Sequence, residues 1–204
     1  MGRRERSLAF TLVELLVVVS ILALLVGILV PSLTKAKDAA RRTACASNLR
    51  QLGTAVRMYL SDSNDVMPAA TPFGGMPVPG EEDPPEIPDI ATVLKPYLTK
   101  EVSNQDLAFR CPADVPGKTQ RLGELDAKSF YESDGTSYAY NFYLSGQKMY
   151  EIVRNDRVIR YFGGRVTEEE IWVMRDVVAF HGKAGTPGAS NYLYIDGHVS
   201  DLAR

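Results

Sequence analysis

Residues 10–30 read FTLVELLVVVSILALLVGILV, and this stretch decides the architecture. Only Thr11, Glu14 and Ser20 bring polar side chains into it. At about 1.5 Å rise per residue, a helix of this length spans the roughly 30 Å hydrocarbon core of a bilayer. Arg3, Arg4 and Arg6 precede it like the basic region of a secretory signal peptide. The apolar run, however, exceeds the about 7–15 residues of such a peptide, and Pro31-Ser-Leu-Thr-Lys follows where a small-residue cleavage site belongs. A plain uncleaved anchor is the other simple reading. Neither accounts for Glu14, because an acid within an apolar span costs up to about 2.5–3.5 kcal/mol at its centre and less towards the edge. A carboxylate in that position calls for a named partner.

The chain has 204 residues and a mass of 22.5 kDa, which suits one ordinary domain with an appendage. Apolar residues at 45% and charged residues at 24% fit neither a disordered polymer nor a polytopic membrane protein. The net charge of −2 conceals a division. Through Leu60 there are nine Lys and Arg against three Asp and Glu; from Ser61 onward there are 14 against 22. The basic charges flank an apolar run instead of alternating with aromatic residues, so nucleic acid is not an expected partner.

Beyond Pro31, Cys45, Leu49, Leu52, Val56 and Tyr59 recur at spacings of four, three, four and three, one face of a helix. Lys35, Lys37, Arg41, Arg42, Arg50 and Arg57 occupy other faces. The helix is therefore expected to continue to about Leu60, with Gly27 and Pro31 as candidate kinks.

The string Ala9-Phe10-Thr11-Leu12-Val13-Glu14-Leu15-Leu16 resembles the cleavage and methylation signature of type IV prepilins and type II secretion pseudopilins. The resemblance implies removal of a basic leader between Ala9 and Phe10, N-methylation of Phe10, and retention of Glu14 for assembly. It supplies Glu14 with a partner, the free amino group of Phe10 in a neighbouring subunit, and such a pair in a low-dielectric bundle offsets the burial of each charge. The family usually has Gly before the cut, where Ala9 stands here. Lys35, Lys37, Arg41 and Arg42 compete with the leader arginines under the positive-inside rule. Orientation therefore follows from the resemblance alone: leader in the cytoplasm, C-terminal domain outside the inner membrane. The run Ala44-Cys45-Ala46-Ser47-Asn48-Leu49-Arg50-Gln51-Leu52-Gly53 further resembles the stalk of a pilin-like family from bacteria that encode many such proteins.

The implied architecture is an α+β, pilin-like fold: a membrane-spanning helix that continues as an amphipathic stalk packed on a small antiparallel sheet. Its parts are a leader (1–9), a transmembrane assembly helix (10–30), a stalk (31–60), a Pro-rich acidic loop (61–88) and an extracytoplasmic head (89–204). Seven of the twelve prolines fall in the loop, read as a solvated, variable surface segment. Residues 90–98 read as a short helix with Val93, Leu94 and Tyr97 inward. Residues 136–144 and 157–162 read as strands. Residues 171–178 read as a strand in preference to the helix that a Thr167/Glu170 capping box would start. Asp196-Gly197, between alternating runs, predicts a terminal hairpin.

Given the extracytoplasmic context that the resemblance implies, Cys45 and Cys111 can form one intramolecular disulfide, the alternative being two unpaired buried thiols. Two cysteines alone do not make a metal site. Asp176, His181, Asp196 and His198 are weak candidates for metal ligands, set against structural roles. Phe180-His181-Gly182 and the run from Asn191 to Val199 resemble the terminal motif of the same pilin-like family, a resemblance that implies no chemistry. Related pseudopilins suggest calcium in the head without assigning residues. No phosphate loop, Gly-x-Ser-x-Gly or Cys/His nucleophile pair is present, so no enzymatic activity is expected. The expected partners are like or related subunits, a prepilin peptidase and methylase, and an inner-membrane assembly platform. The expected function is a subunit of a secretion pseudopilus or pilus-like filament. The alternative is a membrane-tethered binding domain, metal-binding or otherwise, that uses the helix only as an anchor.

Overall fold

A computed structural model describes residues 11–72, 87–98, 105–117, 120–121, 124–125, 128–164 and 167–201. The predicted cut between Ala9 and Phe10, and residues 73–86 of the predicted loop, lie outside the described residues. The chain divides into two compact units, residues 1–39 and 40–204. Helix α1 (Leu12–Asp62) contributes to both.

In the first unit α1 opens with a reciprocal cap. Glu14 N donates to Thr11 Oγ1, while Thr11 N and Thr11 Oγ1 donate to Glu14 Oε2, so that orphan donors of the first turn are satisfied locally. Every described residue of this unit is exposed. The polar side chains within the apolar run turn back on the helix itself: Ser20 Oγ donates to Leu16 O and Thr34 Oγ1 to Val30 O. The helix carries Pro31 in its interior.

In the second unit α1 buries Cys45, Leu49, Leu52, Gly53, Ala55, Val56 and Leu60, the face read from the sequence. The helix stops where Asn64 and Asp65 take positive φ values of 53° and 59°, a conformation that Asn and Asp tolerate better than other side chains. The sheet runs β3 (Tyr138–Tyr140), β4 (Trp172–Asp176), β5 (Tyr192–Tyr194) and β6 (Val199–Ser200), antiparallel throughout and in that spatial order. A separate two-stranded ladder joins β1 (Gln120–Arg121) to β2 (Glu124–Leu125). Short helices α2 (Ile90–Leu94), α3 (Phe130–Asp134), α4 (Met149–Ile152) and α5 (Asp156–Tyr161) fill the connections. The core is shared by α1, α2 and the sheet, with Leu49, Leu52, Ile90, Leu94, Tyr138, Tyr140, Met174 and Leu193 all buried.

Gly53 sets how closely α1 lies on β5, since a Cβ there would stand 2.8 Å from Leu193 Cδ1. Cys45 and Cys111 are joined by a disulfide with Cα atoms 4.9 Å apart. It ties α1 to the segment after a 3₁₀ turn (Gln105–Phe109).

Several local expectations are corrected. Residues 157–162 form most of α5 and not a strand: Asn155 Oδ1 accepts from Arg157 N, giving the segment a helix N-cap, and Val158 is buried as a helical anchor. The predicted strand 136–144 shortens to β3, because the Asn141 side chain accepts from Tyr143 N and turns the chain into a 3₁₀ turn (Phe142–Leu144). The Thr167/Glu170 pair does cap, but only a 3₁₀ turn (Glu168–Glu170), after which β4 begins. Part of the supposed surface loop is interior. Met67 and Ala70 are wholly buried, Met67 N donates to Gln147 O, and Pro68 O accepts from Tyr140 Oη.

Candidate functional site

The sequence-derived site residues lie in three places. Glu14 is in the first turn of α1, with its carboxylate held by Thr11. Leu12–Asp62 contains a stretch long and apolar enough to cross a membrane, none of it buried.

Asp176 and His181 form one pair and Asp196 and His198 another, and the two pairs do not converge. Strand β5 separates them. Asp176 N donates to Asn191 O just before β5 begins. Asp196 and His198 lie in the turn after β5 ends, about five residues and thus roughly 16 Å of extended chain away. The four-residue metal cluster considered from the sequence is therefore not formed.

The Asp196/His198 pair organises a turn. Gly197 N donates to Tyr194 O, Tyr194 N donates to His198 O, and Gly197 has a φ of 88°. The hairpin loop is thus three residues, closed by a left-handed Gly, instead of a two-residue Asp-Gly turn. Asp196 Oδ1 accepts from His198 N at 3.0 Å and faces His198 Nδ1 at 2.6 Å. The His198 ring stacks on Tyr194 with centroids 4.2 Å apart. Partial burial would raise the Asp196 pKa, but hydrogen bonds from His198 and the charges of His198 and Arg57 outweigh it and hold the pKa below the usual carboxylate value. Arg57 of α1 also donates to Asp196 O, and Arg42 pairs with Asp201. Two of the basic charges along α1 are thereby engaged within their own unit.

The Asp176/His181 pair lies against the disulfide. His181 Nε2 is 3.4 Å from Asp176 Oδ2 and 3.7 Å from Cys111 Sγ, and both side chains of the pair are almost wholly buried. Asp176 Oδ2 accepts from Asn191 N at 2.7 Å and Asn191 Nδ2 at 3.0 Å, while the buried Asp176 Oδ1 has no hydrogen-bond partner among the described residues. Among the described residues, the donor atoms of Cys45, Cys111 and His181 form a group whose members all lie within 4.8 Å of one another. Beside them, burial chiefly, with the charges of Asp176 and Asp114 adding to it, pushes the Tyr138 pKa far up, against a hydrogen bond from Asn48 that lowers it.

Sequence reasoning missed two organising residues. Asp114 is buried and accepts from Phe130 N, Tyr131 N and Ser137 Oγ, so that it caps α3 and fixes the segment after Cys111. Asn48 donates to Leu107 O and Arg110 O, anchoring the same segment to α1. The signal available for Asn48 was a polar residue one position before buried Leu49. For Asp114 it was an acid in Cys-Pro-Ala-Asp, which periodicity does not register.

Residues 34–83 match a family described as a protein of unknown function, DUF1559. No curated protein and no solved structure matches. Residues 5–30 match the prokaryotic N-terminal methylation motif. The chain thus carries the prepilin-type cleavage and methylation motif ahead of an α+β unit, and that motif together with the long apolar helix fits a prepilin-like protein anchored in the inner membrane.

Proposed function

We propose that the protein is a structural subunit, cleaved between Ala9 and Phe10, whose residues 10–30 pack laterally with those of like or related subunits into a type II secretion pseudopilus or type IV pilus-like filament. The observation that carries this reading is the exposed apolar run of α1, from Leu12 at 77% exposure to Leu33 at 67%, nearly all of it within the residues that match the methylation motif. An apolar surface of that size requires lipid or other helices around it. In this reading Glu14 exchanges its local Thr11 contacts for the Phe10 amine of a neighbour, which sets the axial register. The leader stays in the cytoplasm, and an inner-membrane platform accepts the processed chain.

Intact-mass analysis of protein from the native host tests the processing, with loss of residues 1–9 and one added methyl group expected. Retention of the leader would overturn the reading. Glu14→Gln is expected to abolish filament formation while the C-terminal unit keeps its thermal unfolding. The Cys/His/Asp cluster favours a second reading, a tethered binding domain. Replacement of residues 10–30 by an unrelated apolar helix distinguishes the two, since a tether survives it and an assembly helix does not.

A further inference from the structure

The cluster around His181 has the donor types and burial of a metal site closed by a disulfide. We propose that the dithiol form of Cys45 and Cys111, with His181 Nε2 and the Asp176 carboxylate, binds a zinc-type divalent cation tetrahedrally. The disulfide and the bound cation are then mutually exclusive states of one site. Nothing in this inference depends on what the N-terminal helix assembles with.

A separation of 3.4 Å between His181 Nε2 and Asp176 Oδ2 is long for a hydrogen bond, whose N···O distance is about 2.7–3.2 Å. Tetrahedral zinc, with bonds of about 2.3 Å to sulfur and 2.0–2.2 Å to nitrogen and oxygen, places its ligand atoms about 3.4 Å apart for N and O and about 3.6 Å apart for N and S. The observed separations are 3.4 Å to Asp176 Oδ2 and 3.7 Å to Cys111 Sγ. One ring nitrogen faces both the carboxylate and the sulfur, so the arrangement is not a proton relay, in which the two would meet opposite nitrogens of the ring. The donor atoms of Cys45, Cys111 and His181 lie within 4.8 Å of one another, and the Asp176 carboxylate adjoins that group at His181; reduction, which parts the two sulfurs, has to complete the tetrahedron.

The surroundings fit as well. Cys45 and Cys111 are fully buried, and the side chains of His181 and Asp176 are 2% and 0% exposed. Asp176 is oriented by two hydrogen bonds from Asn191, as outer-sphere partners orient a ligating carboxylate. Among the described residues its Oδ1 has no hydrogen-bond partner, which is costly for a buried carboxylate oxygen unless a cation or proton serves it. Two thiolates, one imidazole and one carboxylate suit zinc and not calcium, which takes oxygen ligands.

The chemistry balances. A dithiol or phosphine reductant supplies two electrons to the Sγ–Sγ bond and is itself oxidised, two protons complete the thiols, and the cation then displaces those two protons. In the disulfide form the sulfurs carry no negative charge and the site is closed. A chain not yet oxidised would hold the segment at Cys111 to α1 through the cation, and a chain exported to an oxidising compartment would hold it covalently.

The test uses the full chain in detergent, kept anaerobic with a phosphine reductant and titrated with Co²⁺. Reduced protein is expected to bind one equivalent with the thiolate charge-transfer and visible bands of tetrahedral cobalt, and oxidised protein to give neither. His181→Ala and Asp176→Asn are each expected to weaken Co²⁺ binding at least about tenfold, and Cys111→Ser to cut the charge-transfer intensity at saturation by about half, one thiolate remaining. Thermal unfolding of oxidised His181→Ala and Asp176→Asn, and of Cys111→Ser beside the reduced wild type, checks folding. If Asp176→Asn does not fold, the decisive readouts are His181→Gln and the slowing by Zn²⁺ of alkylation at both wild-type thiols. A reduced wild-type protein without the cobalt spectrum, a His181→Ala titration matching wild type, or thiol alkylation indifferent to Zn²⁺ would each overturn the proposal.

Discussion

Over residues 12–33, α1 exposes Leu, Val and Ile side chains at 47–77% of their full surface, whereas over residues 45–60 it buries Cys45, Leu49, Leu52, Ala55 and Val56 to 5% exposure or less. The two stretches share one helix but differ in periodicity. The second has a stripe at 3.6-residue spacing because one side meets a sheet and the other meets water. The first is apolar all round, which suits a segment whose whole circumference is to be covered by lipid or by other helices. Side-chain distribution around a helix, more than helix propensity, therefore records what the helix will touch.

Matched substitutions in the two stretches put that contrast to the test. Leu49→Ala is expected to destabilise the C-terminal unit by about 2–5 kcal/mol, the range for a fully buried Leu. Leu25→Ala, at a position 51% exposed, should leave the unfolding of that unit unchanged in detergent. Chemical denaturation followed by near-ultraviolet circular dichroism reads both. A comparable loss from Leu25→Ala would break the comparison.

A smaller effect separates two glycines of α1. A Cβ at Gly27 meets nothing within 4 Å, while one at Gly53 meets Leu193, itself 1% exposed and unable to swing aside. Gly53→Val is expected to cost about 1–3 kcal/mol through overpacking, and Gly27→Val nothing measurable in the same unfolding experiment. Equal behaviour of the two would mean that α1 and β5 are less tightly packed than Gly53 implies.

Long-range features of the chain were legible where a residue pattern mapped onto one physical cause. The apolar run, the stripe from Cys45 to Tyr59 and the strand at 171–178 each reflect a single dominant partner surface. Local features failed where side-chain hydrogen bonds competed with propensity. Asn155 and Asn141 start helical turns in segments whose composition favours strands, and Met67 and Ala70 are interior despite neighbouring prolines. The site was half legible. Pairing of Cys45 with Cys111 followed from a count of two cysteines together with the extracytoplasmic context that the resemblance implies, but the approach of His181 to them depends on β4, β5 and a tight loop, Asn191 included, which no linear spacing encodes.

The smallest expected effect concerns pH. Asp196 has its pKa held below the ordinary value in the folded chain, through His198 hydrogen bonds and the charges of His198 and Arg57 acting against partial burial. A depressed carboxylate pKa adds stability above the unfolded value, about 3.9, and that stability disappears as pH falls through the folded value. Asp196→Ser keeps a side-chain acceptor for the turn and removes the charge. Its melting temperature should therefore lie slightly below wild type at pH 7, with the gap closing below about pH 4. Glu14→Gln, in the apolar stretch, should trace the wild-type curve across the same range, because among the described residues the Glu14 carboxylate accepts from Thr11 of its own turn and from nothing in the C-terminal unit. If Glu14→Gln instead flattened the acid limb, the acid sensitivity of the C-terminal unit would have to include the apolar half of α1, and the division between the two stretches would fail.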